Sequence, residues 1–571
     1  MENERSSFMP HWRDLGDFIL PRRPRWLASD TNKGDRRNQK IIDSTATYSQ
    51  RILRSGMVSG LTSPARPWFR VATEDLDRMD SEAVKDWCFI VTERMRQVFN
   101  RSNLYNSFPL VYGDLSTFAT AACFAEEDFD TVLHTNVFPI GSYCISVNGR
   151  GRVDCMTRRF NFTVKQIVGE FIRDHNTGAL DWSKGSDLVK NLWDRGLYEE
   201  QLEIVHTVLP NAEWDQEAPE SQYKKYQSVY YELGGGIALT PVDYPNYMLN
   251  NSPEESKFLR IKGYDRFPVL APRWEVTGED AYGTDCPGMV ALGDIKQLQL
   301  GERRIAQALE KMVNPPMVAP ASLRVSGMSI LPGDTNYTDV REGQQGIKPA
   351  HEVNPQVLQI EQKQEQVRQR VKKAFFEDLF LMLASSDRRE ITAREIEERH
   401  EEKLWALGPV LERMNQDMLD PLIDMTFGIM LKRGMVPPPP QELRGQNLKI
   451  EYVSVMAQAQ KLIGLASLER FSGFVGQIAT ANPNVLDKID FDHLVDVYGD
   501  STGVAPGIVL PDEKVAQIRQ QRQQQQQQQQ QLAAAQQQAA TAKDLSSADM
   551  SGDNALTRAI GGMKTPMQGG M

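Results

Sequence analysis

The stretch "AACFAEEDFDTVLH" holds the densest group of side chains able to do chemistry: Glu126, Glu127, Asp128, Asp130 and His134 fall within nine residues. Carboxylates with an imidazole can ligate a divalent cation, and a cation held there could activate water against a phosphodiester, as in a metal nuclease. A solvated turn accounts for the same cluster and is the preferred reading. "ERHEEK", around His400, lacks the second histidine of a zinc-binding HExxH helix. An ATP-driven motor needs a phosphate-cradling GxxxxGKS/T loop, and the lone KGS of "DWSKGSD" has no upstream glycine. "GGG" at 234–236 and "NGRGR" at 148–152 lack the strand, glycine and helix context of a nucleotide fingerprint, and turns explain both. No GxSxG elbow or Cys/His nucleophile pair is present. Cys88, Cys123, Cys144, Cys155 and Cys286 are odd in number, scattered and never CxxC, so they read as reduced thiols. No catalytic residue, metal or cofactor is therefore expected.

One charge pattern carries more. Between Glu361 and Lys373, Lys363, Arg368, Arg370, Lys372 and Lys373 outweigh Glu361 and Glu365 by three charges, in a chain of net charge −11. A solvated face or intersubunit ion pairs would explain it; the sharper reading is a modest contact with phosphate. Arg388 and Arg389, in the following turn, belong to the same question. The acidic balance argues against a tight, sequence-reading complex with duplex DNA, which needs many neutralised phosphates. It does not exclude a surface past which DNA slides.

The elements that must position these charges can be read from period and punctuation. Leu292, Ile295, Leu298, Ile305, Leu309 and Met312 predict a helix over 287–313. Asn314, Pro315 and Pro316 stop it abruptly, because proline neither donates nor continues the coil. Residues 314–354, rich in Pro, Gly, Asn and Asp, read as short strands and turns. A second helix over 355–384 starts with Asn354 as cap and Pro355 at its first position; Ile360, Gln364, Val367, Val371, Phe375 and Leu379 follow one face. A long third helix over 392–434 keeps its period through Pro409 and Pro421, which predict kinks. Residues 1 to about 130 read as mainly helical. Tyr143, Ile145 and Val147, then Val153 and Cys155, predict a hairpin turned at Asn148-Gly149. With "IVHTVLP", "SVYYELG" and "FPVLAPRWEV" as strands, residues 1–286 form a mixed α/β domain with a largely antiparallel sheet. Residues 440–505 form a smaller, mostly helical unit. The Gln/Ala-rich stretch 506–571 cannot bury a core, so it is disordered or a helix bundled with its own copies. No segment reaches the roughly 18 apolar residues of a membrane span, and a soluble intracellular product is the default.

Helix, small extended module, helix, loop and long kinked helix, after a mixed α/β domain, resemble the portal (head-to-tail connector) proteins of tailed bacteriophages, of the short-tailed type. "WRDLGDFILPRR", "PRWEVTGEDAYGTDCPG", "ALGDIKQLQLGERRIAQALEKMVNPPMVAP" and "REITAREIEERHEEKLWALGPVLERMNQDMLDPLI", in that order, look like that family's recurring segments. The resemblance implies an α+β, predominantly helical chain assembling as a ring, usually of twelve copies, around a central channel. It implies a wing at 1–286, stem helices at 287–313 and 355–384, a clip at 314–354 and a tunnel loop at 385–391. The kinked helix at 392–434 returns to the wing, and the crown lies at 440–505. It implies a conduit for packaging and ejecting double-stranded DNA at one capsid vertex, assembled in the host cytoplasm. The implied partners are the terminase motor, then adaptor or tail proteins, with major capsid and scaffold proteins around the ring. Two rivals stand beside it: a catalytic subunit of DNA packaging, ATPase or metal nuclease, and a coiled-coil filament, which the interrupting prolines disfavour.

Overall fold

The computed structural model describes residues 1–25, 34–74, 81–174, 177–218, 220–233, 258–315, 317–318, 329, 348–349, 357–385, 407–443, 445, 448–454, 471–479 and 482–502, with 512–547. Its longer helices are α1 (Glu2–Phe18), α2 (Thr45–Leu61), α3 (Glu82–Arg101), α4 (Leu104–Phe118), α5 (Val164–Ile167), α6 (Asp187–Asp194), α7 (Pro287–Val313), α8 (Val357–Ala374), α9 (Glu377–Ser385), α10 (Asp420–Lys432), α11 (Phe491–Thr502) and α12 (Asp512–Ser547). Contacts divide the chain into two compact units, residues 1–74 with 86–474, and residues 75–85 with 475–571.

In the first unit a five-stranded antiparallel meander is built from β4 (Tyr143–Val147), β5 (Val153–Thr163), β6 (Gln201–Pro210), β7 (Tyr226–Glu232) and β8 (Phe258–Tyr264), in chain order. The expected hairpin is its first pair, though Asn148 turns the chain through five residues: its N–H donates to the Arg152 carbonyl at 2.9 Å. Val164, Ile167, Val168, Phe171 and Ile172 lay a short helical cap on one side of the sheet, against Ile204, Tyr230 and Leu259. Burying these large side chains contributes on the order of 1.5–3 kcal/mol each.

A second sheet, in the order β3-β2-β9, pairs β2 (Ala122–Asp128) with β3 (Val132–Phe138) and β9 (Val269–Leu270). Here the sequence reading is corrected twice. The change from helix to strand comes earlier than Thr131, and "FPVLAPRWEV" forms only a two-residue strand with isolated bridges at Arg273 and Glu275. Within the supposedly helical first stretch, β1 (Phe69–Thr73) pairs antiparallel with β12 (Leu448–Tyr452), far away in the chain. Helices α1 to α4 hold the aromatic core, where Trp12, Trp68, Phe99, Phe108 and Tyr112 are buried. Arg23, in the "PRRPR" stretch that follows α1, closes a bidentate pair on Asp114 of α4 at 2.8 and 2.7 Å, and Asp114 is 1% exposed.

The second unit holds a 3-10 turn at Pro483–Lys488 and helices α11 and α12. Asp492 of α11 and Arg519 of α12 form an exposed ion pair. Nearly every described side chain of the 36-residue α12 is exposed, and at 1.5 Å per residue the helix is about 54 Å long. Among the described residues, no helix is long and apolar enough to cross a membrane.

Candidate functional site

Helix α8 carries the five cations singled out above, and it packs against α7. Helix α7 begins with Pro287 at its first position, and Ala291, Ile295 and Leu298 are buried in its inner half. From α8, Gln364, Val367 and Val371 face inward at helical spacing. The two helices close on Gly301, where a Cβ would lie 1.7 Å from the Gln364 amide nitrogen. A side chain at 301 would displace the Gln364 amide from the place it takes against α7. Gln299 completes the junction from α7: its carbonyl oxygen accepts the Ile42 and Asp43 N–H groups at 2.6 and 2.9 Å, and its amide donates to the Asp43 carbonyl.

Arg368 lies at the centre of this junction. Its Nε donates to Asp43 Oδ2 at 2.9 Å, Nη2 to Glu302 and Nη1 to Glu365 at 3.3 Å. These bonds, with burial opposing them, raise the arginine pKa. Burial works to raise the Asp43 carboxyl, but bonds from Thr45 and Arg368 outweigh it and hold the group below its ordinary 3.8. Arg370 is bidentate to Asp294 of α7, at 2.7 and 3.1 Å. Two of the five cations therefore join the helices to each other and to the chain before α2. Lys363 and Lys373 are exposed and Lys372 half-buried, and none makes an ion pair among the described residues. Arg388 and Arg389 lie outside the described residues.

At its far end α7 stops at Asn314, whose N–H still donates to the Glu310 carbonyl at 2.8 Å. Pro315 follows, and Pro316 lies outside the described residues. The chain immediately forms a two-strand ladder, β10 (Met317–Val318) with β11 (Lys348–Pro349), closing the base of the intervening segment. Most of 314–354 is otherwise outside the described residues. Leu309, Met312 and Val313 at this end are exposed, Val313 to 86%.

The helix expected over 355–384 is described from Val357 and is not continuous. Phe376 takes φ +52 and separates α8 from α9. The break has a tertiary cause: Glu377 accepts the Ser49 hydroxyl, and Phe380 lies against Gly56 of α2. The third helix is described from residue 407. Pro409 is exposed in its first turns, and a wide π turn, Asn415–Leu419, precedes Pro421 near the start of α10. Proline at 421 cannot donate to a carbonyl four residues back, and the wider turn, in which Asp420 N–H reaches Asn415, accommodates that loss. Residues 392–406 and His400 lie outside the described residues.

The acidic cluster occupies the end of β2 and the turn after it. Tyr264 and Lys262 approach Glu126 at 3.4 and 3.6 Å, Arg433 bonds Glu127 at 2.7 Å, and Asp128 accepts both the N–H and hydroxyl of Thr131 at 2.8 Å. His134 stands opposite Glu126 in the β2–β3 register. These carboxylates are answered by donors of their own fold, and among the described residues no group of three ligands is arranged to hold a metal. Of the five cysteines four are buried, and burial pushes Cys123 and Cys286 up to about 12.

Residues 1–509 match the family described as bacteriophage head to tail connecting protein. The chain is 46% identical over 568 residues to the portal protein of Salmonella phage epsilon15, covering 100% of this chain and 97% of that one. It is 41% identical over 557 residues to the probable portal protein of Bordetella phage BPP-1, covering 98% and 95%. With a mixed helix and sheet architecture and these full-length likenesses, the chain belongs to the bacteriophage head to tail connecting protein family.

Proposed function

We propose that this chain is a portal protein: copies of it form a ring at one capsid vertex, the conduit through which the genome is packaged and later ejected. The observation that carries this reading is the 46% identity, end to end, with the portal protein of phage epsilon15. The wing is 1–286 with the helix over 392–434, the stem α7 with α8 and α9, the clip 314–354, the tunnel loop 385–391 and the crown 440–505. Apolar side chains of α7, Val290 and Leu300 and, toward its C-terminal end, Leu309, Met312 and Val313, are exposed in the single chain. They suit burial against neighbouring copies. Terminase docks on the clip during packaging, adaptor or tail proteins replace it afterwards, and major capsid and scaffold proteins hold the rim.

DNA must move both ways without sticking. Each strong phosphate contact adds affinity through counterion release, so a slippery bore carries few free cations. Lys363, Lys372 and Lys373, with Arg388 and Arg389 of the tunnel loop, are the DNA-facing set, while Arg368 and Arg370 hold the stem together. Mass photometry and negative-stain microscopy of purified protein test the reading: twelve copies of the 64.6 kDa chain give about 775 kDa. A ring with an axial hole is expected. A compact dimer with nucleotide turnover or metal-dependent DNA cleavage would overturn it in favour of a packaging enzyme.

A further inference from the structure

The turn between β2 and β3 displays an aromatic ring in solvent. Phe129 is 93% exposed, the most exposed large apolar side chain among the described residues. It does not sit on a loose loop. Asp128 pairs with Val132 across the turn, and Val132 takes φ +73, a conformation that a β-branched side chain very rarely adopts. Thr131 binds back to Asp128, and Arg433, capping α10, clamps the turn from outside: Nη2 donates to the Asp128 carbonyl at 2.7 Å, Nη1 to the Phe129 carbonyl at 3.3 Å. A strained, doubly tied turn that holds a phenyl ring outward is built for display.

A single ring is too small to retain a separate partner, since stable interfaces bury on the order of 1,200 Å² or more. It suits one corner of a larger repeated contact. A closed ring of identical copies joins two different patches of the chain, so the receptor for the knob is on this chain as well. The outer face of α1 offers one: an open groove of about 650 Å³ with Met9 and Pro10 as its apolar lining. Arg5, Arg13 and Lys40 also line it, and its two carboxylates, Asp14 and Asp17, are paired to Lys296 and Lys40. Its three cations outnumber its two carboxylates, and the flanks of the knob, Glu127, Asp128 and Asp130, outnumber the Arg433 that clamps them, so the formal charges of knob and groove are opposite. We infer that Phe129 is an intersubunit knob that seats in the α1 groove of a neighbouring copy of this chain.

The inference rests on the ring reading above, and the test separates the two. Wild type, Met9→Cys, Phe129→Cys and the double variant are sized by mass photometry, then oxidised and run without reductant. The double variant is expected to give a ladder of covalent oligomers, and wild type and both single variants none. Rings without a ladder in the double variant would overturn the knob and leave the ring standing; a ladder from Phe129→Cys alone would mean knob meets knob, and overturn it too. Wild type that forms no ring would overturn both. Phe129→Asp, at a side chain the fold does not bury, is expected to weaken assembly at least tenfold with unchanged thermal unfolding of the monomer. Unchanged assembly would overturn the inference.

Discussion

Arg368 and Lys363 are five residues apart on one helix, yet they do different work. Arg368 answers three carboxylates at the junction of α7, α8 and the segment before α2. Charge-assisted bonds of this kind contribute about 1.5–3 kcal/mol, so Arg368→Ala should lower unfolding stability by roughly that amount, measured by denaturant titration. Charge reversal of Lys363, Lys372 and Lys373 together should leave stability within about 0.5 kcal/mol and instead change DNA retention in filled heads. If retention stays as in wild type, these lysines do not face the channel. The excess of three positive charges was legible in the sequence. Which of them were already engaged was not, because Asp43, Glu302 and Asp294 reach them only through tertiary packing. A second residue reports on the five-stranded sheet. His206 is buried, stacked on Tyr230 with ring centroids 3.9 Å apart, and bonded to Ser228. Burial first, then the charges of Arg158 and Arg260, push its pKa well below the ordinary 6.5. In the unfolded chain the imidazole takes a proton below 6.5, and in the fold it does not. Stability is therefore intact above 6.5 and falls as pH drops below it, by up to about 1.4 kcal/mol per pH unit. His206→Gln should lose that slope between pH 6.5 and 5 in chemical melts, and an identical slope in both proteins would refute the assignment.

At the scale of elements, the ends of α7 were legible and the break after α8 was not. Cys286-Pro287 and Asn314-Pro315 are local punctuation, and local punctuation needs no partner. Val367, Val371, Phe375 and Leu379 keep their helical period straight through Phe376, so nothing local announces the left-handed residue there. The break is imposed by α2, where a Cβ at Gly56 would lie 2.1 Å from the Phe380 ring. Placing Phe376 at φ +52 costs about 1–2 kcal/mol, and docking of α9 on α2 offsets it. Gly56→Ala forces a methyl into that contact and should destabilise by about 1–3 kcal/mol. Hydrogen exchange should show the loss concentrated in α9; protection lost evenly across the first unit would mean that the contact is not what holds the break. The β1 with β12 ladder was illegible for a related reason, since strands at 69–73 and 448–452 are far apart in the chain and nothing local in either names its partner.

At the scale of the molecule, the Gln/Ala-rich stretch left two readings open in the sequence, and the fold makes residues 512–547 of it one long helix, α12. Gln and Ala favour helix, and 36 residues are enough to propagate one, but no apolar stripe runs along it to bind a core. Its ion pair to Asp492 is exposed, and such pairs hold little. The family model matches residues 1–509, before α12 begins, whereas the likeness to the portal protein of phage epsilon15 runs over the whole chain. With nearly all its described side chains solvated and its ion pair to α11 exposed, α12 is expected to add little to the folding of the first unit, and the apolar contacts of the ring proposed above are expected along α7 instead. Deleting residues 512–571 should leave the copy number and thermal midpoint of the ring unchanged, by mass photometry and calorimetry. The helical signal of an isolated 512–547 peptide should rise with concentration if copies bundle, because association supplies contacts that a lone helix lacks. A truncated chain that no longer closes would place the tail inside the assembly interface and overturn the proposal that contacts along α7 close the ring without it.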